Sequence, residues 1–209
     1  MCIRDSVAAA LDGPDPGTPP ALPSTDEPTS IFYANRLDYP LILRLLPPGA
    51  SVVDLGCGNG DLLEQLRDRG HAPLLGVERD EEEVARCLER GVDVIHANLE
   101  RNLPPLGDGS FDVAVLSQTL QSLQDVPGTL EELVRIGRRA IVAFPNFAYE
   151  PLRRMFMEQG RLPKEEGAYG YDWFDTPNRR FPSILDFLEL CETLGIEIAQ
   201  AIYLSLIHI

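Results

Sequence analysis

Three glycines at alternate positions, Gly56, Gly58 and Gly60, follow the apolar run Val52-Val53-Asp54-Leu55, and a helix-like pattern comes after them. Glycine is needed where backbone turns with positive φ, or where it approaches a ligand with no Cβ in between. The loop Gly56-Cys57-Gly58-Asn59-Gly60 can therefore pass beneath a ligand, with the N–H groups of the following helix start pointing at a carboxylate. Cys57 reads as a packed small residue of that loop rather than a reactive thiol. Asp54, just before the loop, is placed to accept from an ammonium, directly or through water. Glu78 ends the next apolar run, Leu74-Leu75-Gly76-Val77, where a carboxylate can accept from both hydroxyls of a ribose. Its competing reading is the exposed start of the acidic run 78–83, which also suits a helix N-terminus.

The spacing G-x-G-x-G differs from the dinucleotide fingerprint G-x-G-x-x-G, whose last glycine falls one residue later. It resembles the S-adenosylmethionine (SAM) site of class I methyltransferases. On that resemblance Gly56, Cys57, Gly58 and Gly60 run under the methionine part, Asp54 takes the ammonium and Glu78 the ribose. Asn98 stands where such enzymes usually carry Asp to accept from the adenine amino group. Asn keeps an acceptor oxygen but loses the charge. Leu99 supplies apolar contact and a backbone N–H to the adenine. Ser117 and Gln118 either face the same crevice or are polar caps of their loop. A nicotinamide-dependent enzyme is the weaker alternative for this glycine spacing.

Alternating strands and helices must hold these residues. Leu37, Leu41, Ile42, Leu45 and Leu46 recur at helical spacing before Pro47-Pro48-Gly49. Strands are expected at 51–55, 73–78, 93–97, 111–116, 139–144 and 196–204. Helices are expected at 60–69, 80–90, 128–136, 152–159 and 183–194, the last capped by Ser183 and stopped by Gly195. This order implies right-handed βαβ units and an α/β, Rossmann-like fold, a mostly parallel sheet flanked by helices. Ligand then sits beyond the carboxyl ends of the strands, where every candidate residue falls.

The chain has 209 residues, room for one such domain, and a net charge of -15 that disfavours a nucleic-acid surface. Four scattered cysteines and three histidines form no zinc or disulfide pattern, so no metal site is expected. No run approaches a membrane span and no transit segment stands out, which makes the cytoplasm the default. Residues 1–6 and 204–209 can be encoded by DNA strings that are reverse complements over nearly their whole length. They read as translated sequencing adapter and a truncated reading frame, and both are set aside. Residues 7–30, rich in Pro, Gly, Asp, Ser and Thr, read as a disordered tail. The domain is expected to span 31–203.

No catalytic constellation stands out: there is no Asn-Pro-Pro-Tyr, no Pro-Cys pair, no G-x-S-x-G and no H-E-x-x-H. Methyl transfer from a sulfonium can proceed largely through proximity and alignment, so no base is named and catalysis stays open. The aromatic segment 169–178 reads equally as a lid, a partner surface or a packing loop.

Four stretches together resemble the methionine biosynthesis protein MetW family. They are Val53-Asp54-Leu55-Gly56-Cys57-Gly58-Asn59-Gly60, Val115-Leu116-Ser117-Gln118-Thr119-Leu120-Gln121, Ala143-Phe144-Pro145-Asn146-Phe147 and Tyr171-Asp172-Trp173-Phe174-Asp175-Thr176-Pro177-Asn178. The resemblance covers about 36–203. It implies a class I methyltransferase-like fold, SAM as cofactor, and action with homoserine O-acyltransferase in making methionine. Two departures stand out: Asn98 for Asp, and Arg180 where a His is expected. The fold normally places an antiparallel strand between its fifth and sixth strands. With that strand missing through truncation, 196–204 is expected to be poorly anchored, with an exposed edge.

Overall fold

The computed structural model describes residues 6–10, 36–160 and 176–204. Seven strands form one sheet: β1 (Ser6–Ala10), β2 (Val52–Leu55), β3 (Leu74–Glu78), β4 (Val94–His96), β5 (Phe111–Ser117), β6 (Gly137–Pro145) and β7 (Gln200–Leu204). Their order is β4-β3-β2-β5-β6-β1-β7. The pairs from β4 to β6 are all parallel, and β1 runs antiparallel to both β6 and β7. The helices are α1 (Asp38–Leu45), α2 (Asp61–Asp68), α3 (Glu81–Glu89), α4 (Val126–Ile136), α5 (Glu150–Gln159) and α6 (Ile184–Leu194).

Residue alternation along the strands builds two cores, one on each face. Val52, Val113, Val115 and Ile141 pack with Ile42 of α1, Leu62, Leu63 and Leu66 of α2, and Cys87 of α3. Their neighbours Val53, Leu55, Ala114, Leu116, Val142 and Phe144 pack with Leu130 and Leu133 of α4 and Phe187 of α6. Covering both faces requires near-continuous apolar strands, which is how these segments read.

Several boundaries shift from the sequence reading, by two residues at the starts of α4, α5 and β6 and by four at the start of β7. Helix α4 starts at Val126, because the Asp125 side chain accepts from the Gly128 N–H and Pro127 fits the first helical turn. Strand β7 starts only at Gln200.

The sheet edge corrects the sequence reading further. Residues 7–10 are not part of a disordered tail, and Ser6 and Leu204 do not fall outside the fold. Ser6–Ala10 fills the antiparallel position between β6 and β7, with Ser6 opposite both Pro145 and Leu204 and Ala10 opposite Ile141 and Gln200. The unanchored strand and missing neighbour expected for 196–204 are thus replaced by a paired β7. Ladder pairing uses backbone N–H and C=O groups, so a short stretch free of Pro and Gly can supply it whatever its side chains. Residues 1–5, 11–35, 161–175 and 205–209 lie outside the described residues, and with them most of the aromatic segment. No described helix is long and apolar enough to cross a membrane.

Candidate functional site

A cavity of about 650 Å³ opens at the carboxyl ends of β2, β3, β4 and β5. This is the size of a small-molecule site. Its floor is the glycine loop. Gly56 and Cys57 donate to the Val77 carbonyl at 2.8 and 3.1 Å, which turns the chain out of β2 over the end of β3. Gly56 has φ +83°, and a Cβ there would collide with the Thr119 side chain. Gly58 has φ +54°, and a Cβ there would meet nothing within 4 Å, because it faces the open cavity. Gly60, also at positive φ, starts α2. The first two glycines thus answer different demands: Gly56 a close approach by Thr119 from the turn after β5, Gly58 a backbone surface offered to a ligand.

Asp54 is the next-to-last residue of β2, behind this loop. It is 4% exposed, and its Oδ1 has no hydrogen-bond partner. Burial pushes its carboxyl up to about 7; the Arg36 guanidinium pulls it down, and Asp38 and Glu78 push it up again. An orphaned buried acceptor costs about 1–3 kcal/mol and calls for a donor.

Beside it, Arg36 donates from Nε and Nη2 to the two oxygens of Asp38, at 2.9 and 2.6 Å, and from Nη2 to Ser117 Oγ at 2.8 Å. Ser117 Oγ in turn donates to Asp38 Oδ2. The guanidinium lies 4.0 Å over the Tyr39 ring. Burial works against the Arg36 charge and is the largest single influence, but the Asp38 hydrogen bond and the charges of Asp38, Tyr39 and Asp54 together outweigh it, and the pKa is raised. Thus α1, the end of β2 and the end of β5 converge on one charged corner.

Glu78 lines the opposite wall. Its Oε2 accepts from Gly58 N at 2.9 Å, and its Oε1 from Arg79 N and Asp80 N at 2.7 and 2.9 Å. A carboxylate offers about four acceptor positions, so roughly one is left for a ligand. Asn98 and Leu99 follow β4 and also line the cavity. The Asn98 Oδ1 accepts from Glu100 N at 2.9 Å, so Asn98 holds its own turn. Leu99 packs against the core on the α4 side. Gln118 lines the cavity with φ +55°, a left-handed conformation uncommon outside glycine. Its backbone is held by Gln118 N donating to Ala143 O at 2.8 Å and by Gln121 Nε2 donating to Gln118 O at 2.8 Å.

Of the ten residues singled out from sequence, Gly56, Cys57, Gly58, Glu78, Asn98, Leu99, Ser117 and Gln118 line one cavity. Asp54 and Gly60 stand behind its wall, outside the lining. Cys57 is 5% exposed, its Sγ 3.9 Å from that of Cys87, and burial pushes its thiol up, as suits a packing residue. No group of His, Cys, Asp and Glu among the described residues could hold a metal ion.

Sequence reasoning missed Arg36, Tyr39 and Thr119, which also line the cavity. Arg36 and Tyr39 sit some twenty residues before the glycine loop, and only folding α1 over β2 brings them in. The signal for Thr119 was present, since it lies inside the Ser117–Gln121 stretch, but its packing on Gly56 has no spacing rule.

A family model described as "Methionine biosynthesis protein MetW" matches residues 36–209. That span takes in residues 204–209. The bifunctional methionine biosynthesis protein MetXA/MetW of Rhodopirellula baltica is 41% identical over 197 residues, covering 90% of this chain and 30% of the relative. The chain therefore spans under a third of that relative's length. Among solved structures, a SAM-dependent methyltransferase from Thermotoga maritima superposes with TM-score 0.56 at 26% identity, covering 77% of this chain and 70% of the other. One from Mesorhizobium loti gives 0.58 at 20% identity over 78% and 82%, a likeness of fold. The Rossmann-like sheet, the glycine loop and the extent of the match agree: the chain belongs to the methionine biosynthesis protein MetW family, on a class I methyltransferase-like fold.

Proposed function

We propose that the cavity binds SAM and that the protein serves methionine biosynthesis as the partner of a homoserine O-acyltransferase. The observation that carries the first part is the pairing of an open space above Gly58 with an orphaned Asp54 oxygen behind the loop. The ligand that fits has an ammonium for Asp54, a carboxylate for the backbone N–H groups at the start of α2, and a thin chain to lie over Gly58. Glu78 takes one ribose hydroxyl, and Asn98 and Leu99 frame the adenine. Bound SAM would supply an electrophilic methyl group. The residues described here bind and orient it, and none among them is aligned as a base. The second part is supported by the Rhodopirellula relative, which joins a MetW-like part to a MetXA part in one chain. Parts fused in one organism commonly meet as separate subunits in another.

Calorimetric titration with SAM tests the site. Gly58→Val should abolish the binding heat, since its branched side chain meets both positive φ and the ligand space. Glu78→Ala should weaken binding tenfold or more, because it also frees three backbone N–H groups. Unchanged heats in both would reject the site. Co-purification of the two subunits tests the partnership.

A second reading is a small-molecule methyltransferase, favoured by the Thermotoga structure at 26% identity. Release of S-adenosylhomocysteine in a metabolite screen would support it.

A further inference from the structure

A corner outside the cavity is wired to it. Arg179 N and Arg180 N both donate to the Gln121 carbonyl, at 2.8 and 2.9 Å. The Gln121 side chain donates to the carbonyl of Gln118, the left-handed residue on the cavity wall. One buried glutamine therefore joins the cavity wall to the chain entering α6. Its Oε1 has no partner, so the amide is held from the Gln118 side alone.

This bridge presents two adjacent exposed arginines. Arg179 and Arg180 are exposed, and neither is ion-paired to a carboxylate among the described residues, in a chain of net charge -15. The Arg180 guanidinium is fixed by donating to Gln124 O at 2.5 Å. Phe181 is 54% exposed, stacked edge-on against Phe147 at 5.1 Å, and Leu185, the second residue of α6, is 61% exposed. Adjacent arginines beside a rigid aromatic and an open leucine have the composition of a protein interface.

We propose that residues 179–185 are the seat of the acyltransferase subunit, and that the Gln121 bridge makes the affinity of that seat depend on what fills the cavity. This rests on the partnership proposed above and assigns it a surface. The occupant must carry carboxylates to meet Arg179 and Arg180 around an apolar spot that covers Phe181 and Leu185. A ligand that moves Gln118 shifts its carbonyl, hence Gln121, hence the backbone of Arg179 and Arg180. Any difference in SAM affinity between the free and docked forms then appears as an equal change in docking affinity.

The test uses the full chain and purified homoserine O-acyltransferase, with docking affinity measured by biolayer interferometry with and without saturating SAM. Arg179→Glu and Leu185→Glu, whose side chains make no hydrogen bond, ion pair or core contact among the described residues, should each weaken docking at least tenfold and leave the SAM titration unchanged. Leu88→Glu, exposed on α3 away from this corner, should stay within twofold of wild type. SAM should change wild-type docking at least fivefold, and Gln121→Met should reduce that change to less than twofold while the variant remains folded by circular dichroism. A complex that forms but ignores Arg179→Glu and Leu185→Glu overturns the seat and leaves the partnership standing. Docking that ignores SAM overturns the wiring. Absence of any wild-type complex overturns the partnership and the seat together.

Discussion

At the residue scale, Asp54 sets the chemistry of the cavity's charged end. Burial holds its proton up to about 7, whereas an unfolded Asp loses it near 3.8. Between those values the folded state binds the proton and the unfolded state does not, so stability falls as pH rises across that window. A shift of about three pH units caps this loss at roughly 4 kcal/mol. Asp54→Asn removes the titration, so it should melt higher than wild type at pH 8, with the gain shrinking toward pH 5. A gain that did not change with pH would contradict the buried proton. The same variant should lose SAM affinity, and wild-type affinity should climb as pH rises through 7, because only the carboxylate form accepts fully from an ammonium. Gly76 makes a separate point in the middle of β3. A Cβ there would lie 2.5 Å from Cys57 Sγ and 3.1 Å from Leu63 Cδ1. Gly76→Ala should therefore destabilise by about 1–3 kcal/mol through overpacking, read from urea midpoints.

At the element scale, α6 shows how much local chemistry can fix. Ser183 accepts from Asp186 N at 3.1 Å while the Asp186 carboxylate accepts from Ser183 N, a reciprocal cap that also sets the direction in which residues 179–182 enter the helix. Ser183→Ala should cost about 1 kcal/mol, seen as a melting point lower by several degrees. Cap and stop were both legible in the sequence, as were the central strands, because apolar runs bounded by Gly and Pro have few other readings. Eight of the ten site residues line the cavity for the same reason: they sit at strand ends, and strand ends were readable. The features that escaped follow no spacing rule. The Arg36–Asp38–Ser117 network joins residues about eighty positions apart, and the left-handed Gln118 depends on a side chain three residues on. Residues 7–10 were misread because composition weighs a segment's own ability to bury surface, and a strand can instead complete an edge made elsewhere. Asn98 behaves as its chemistry allows, spending its oxygen on its own turn.

At the scale of the whole molecule, the two ends of the described chain lie side by side in one sheet. Strand β7 is held there through β1, so removing residues 1–10 should strip the outer ladder from β6 as well. The shortened protein should melt lower and elute partly as aggregates in size-exclusion chromatography, since an open edge pairs with other copies. Unchanged elution and melting would show that the edge carries little of the stability. The pairing of Ser6 with Leu204 has a kinetic side too. Nearly the full length of the polypeptide separates those partners, so their meeting is the costliest loop closure in the fold and belongs at the end of assembly. Amide protons along that rim should gain protection after the parallel centre in a pulse-labelled refolding experiment, and exchange first at equilibrium.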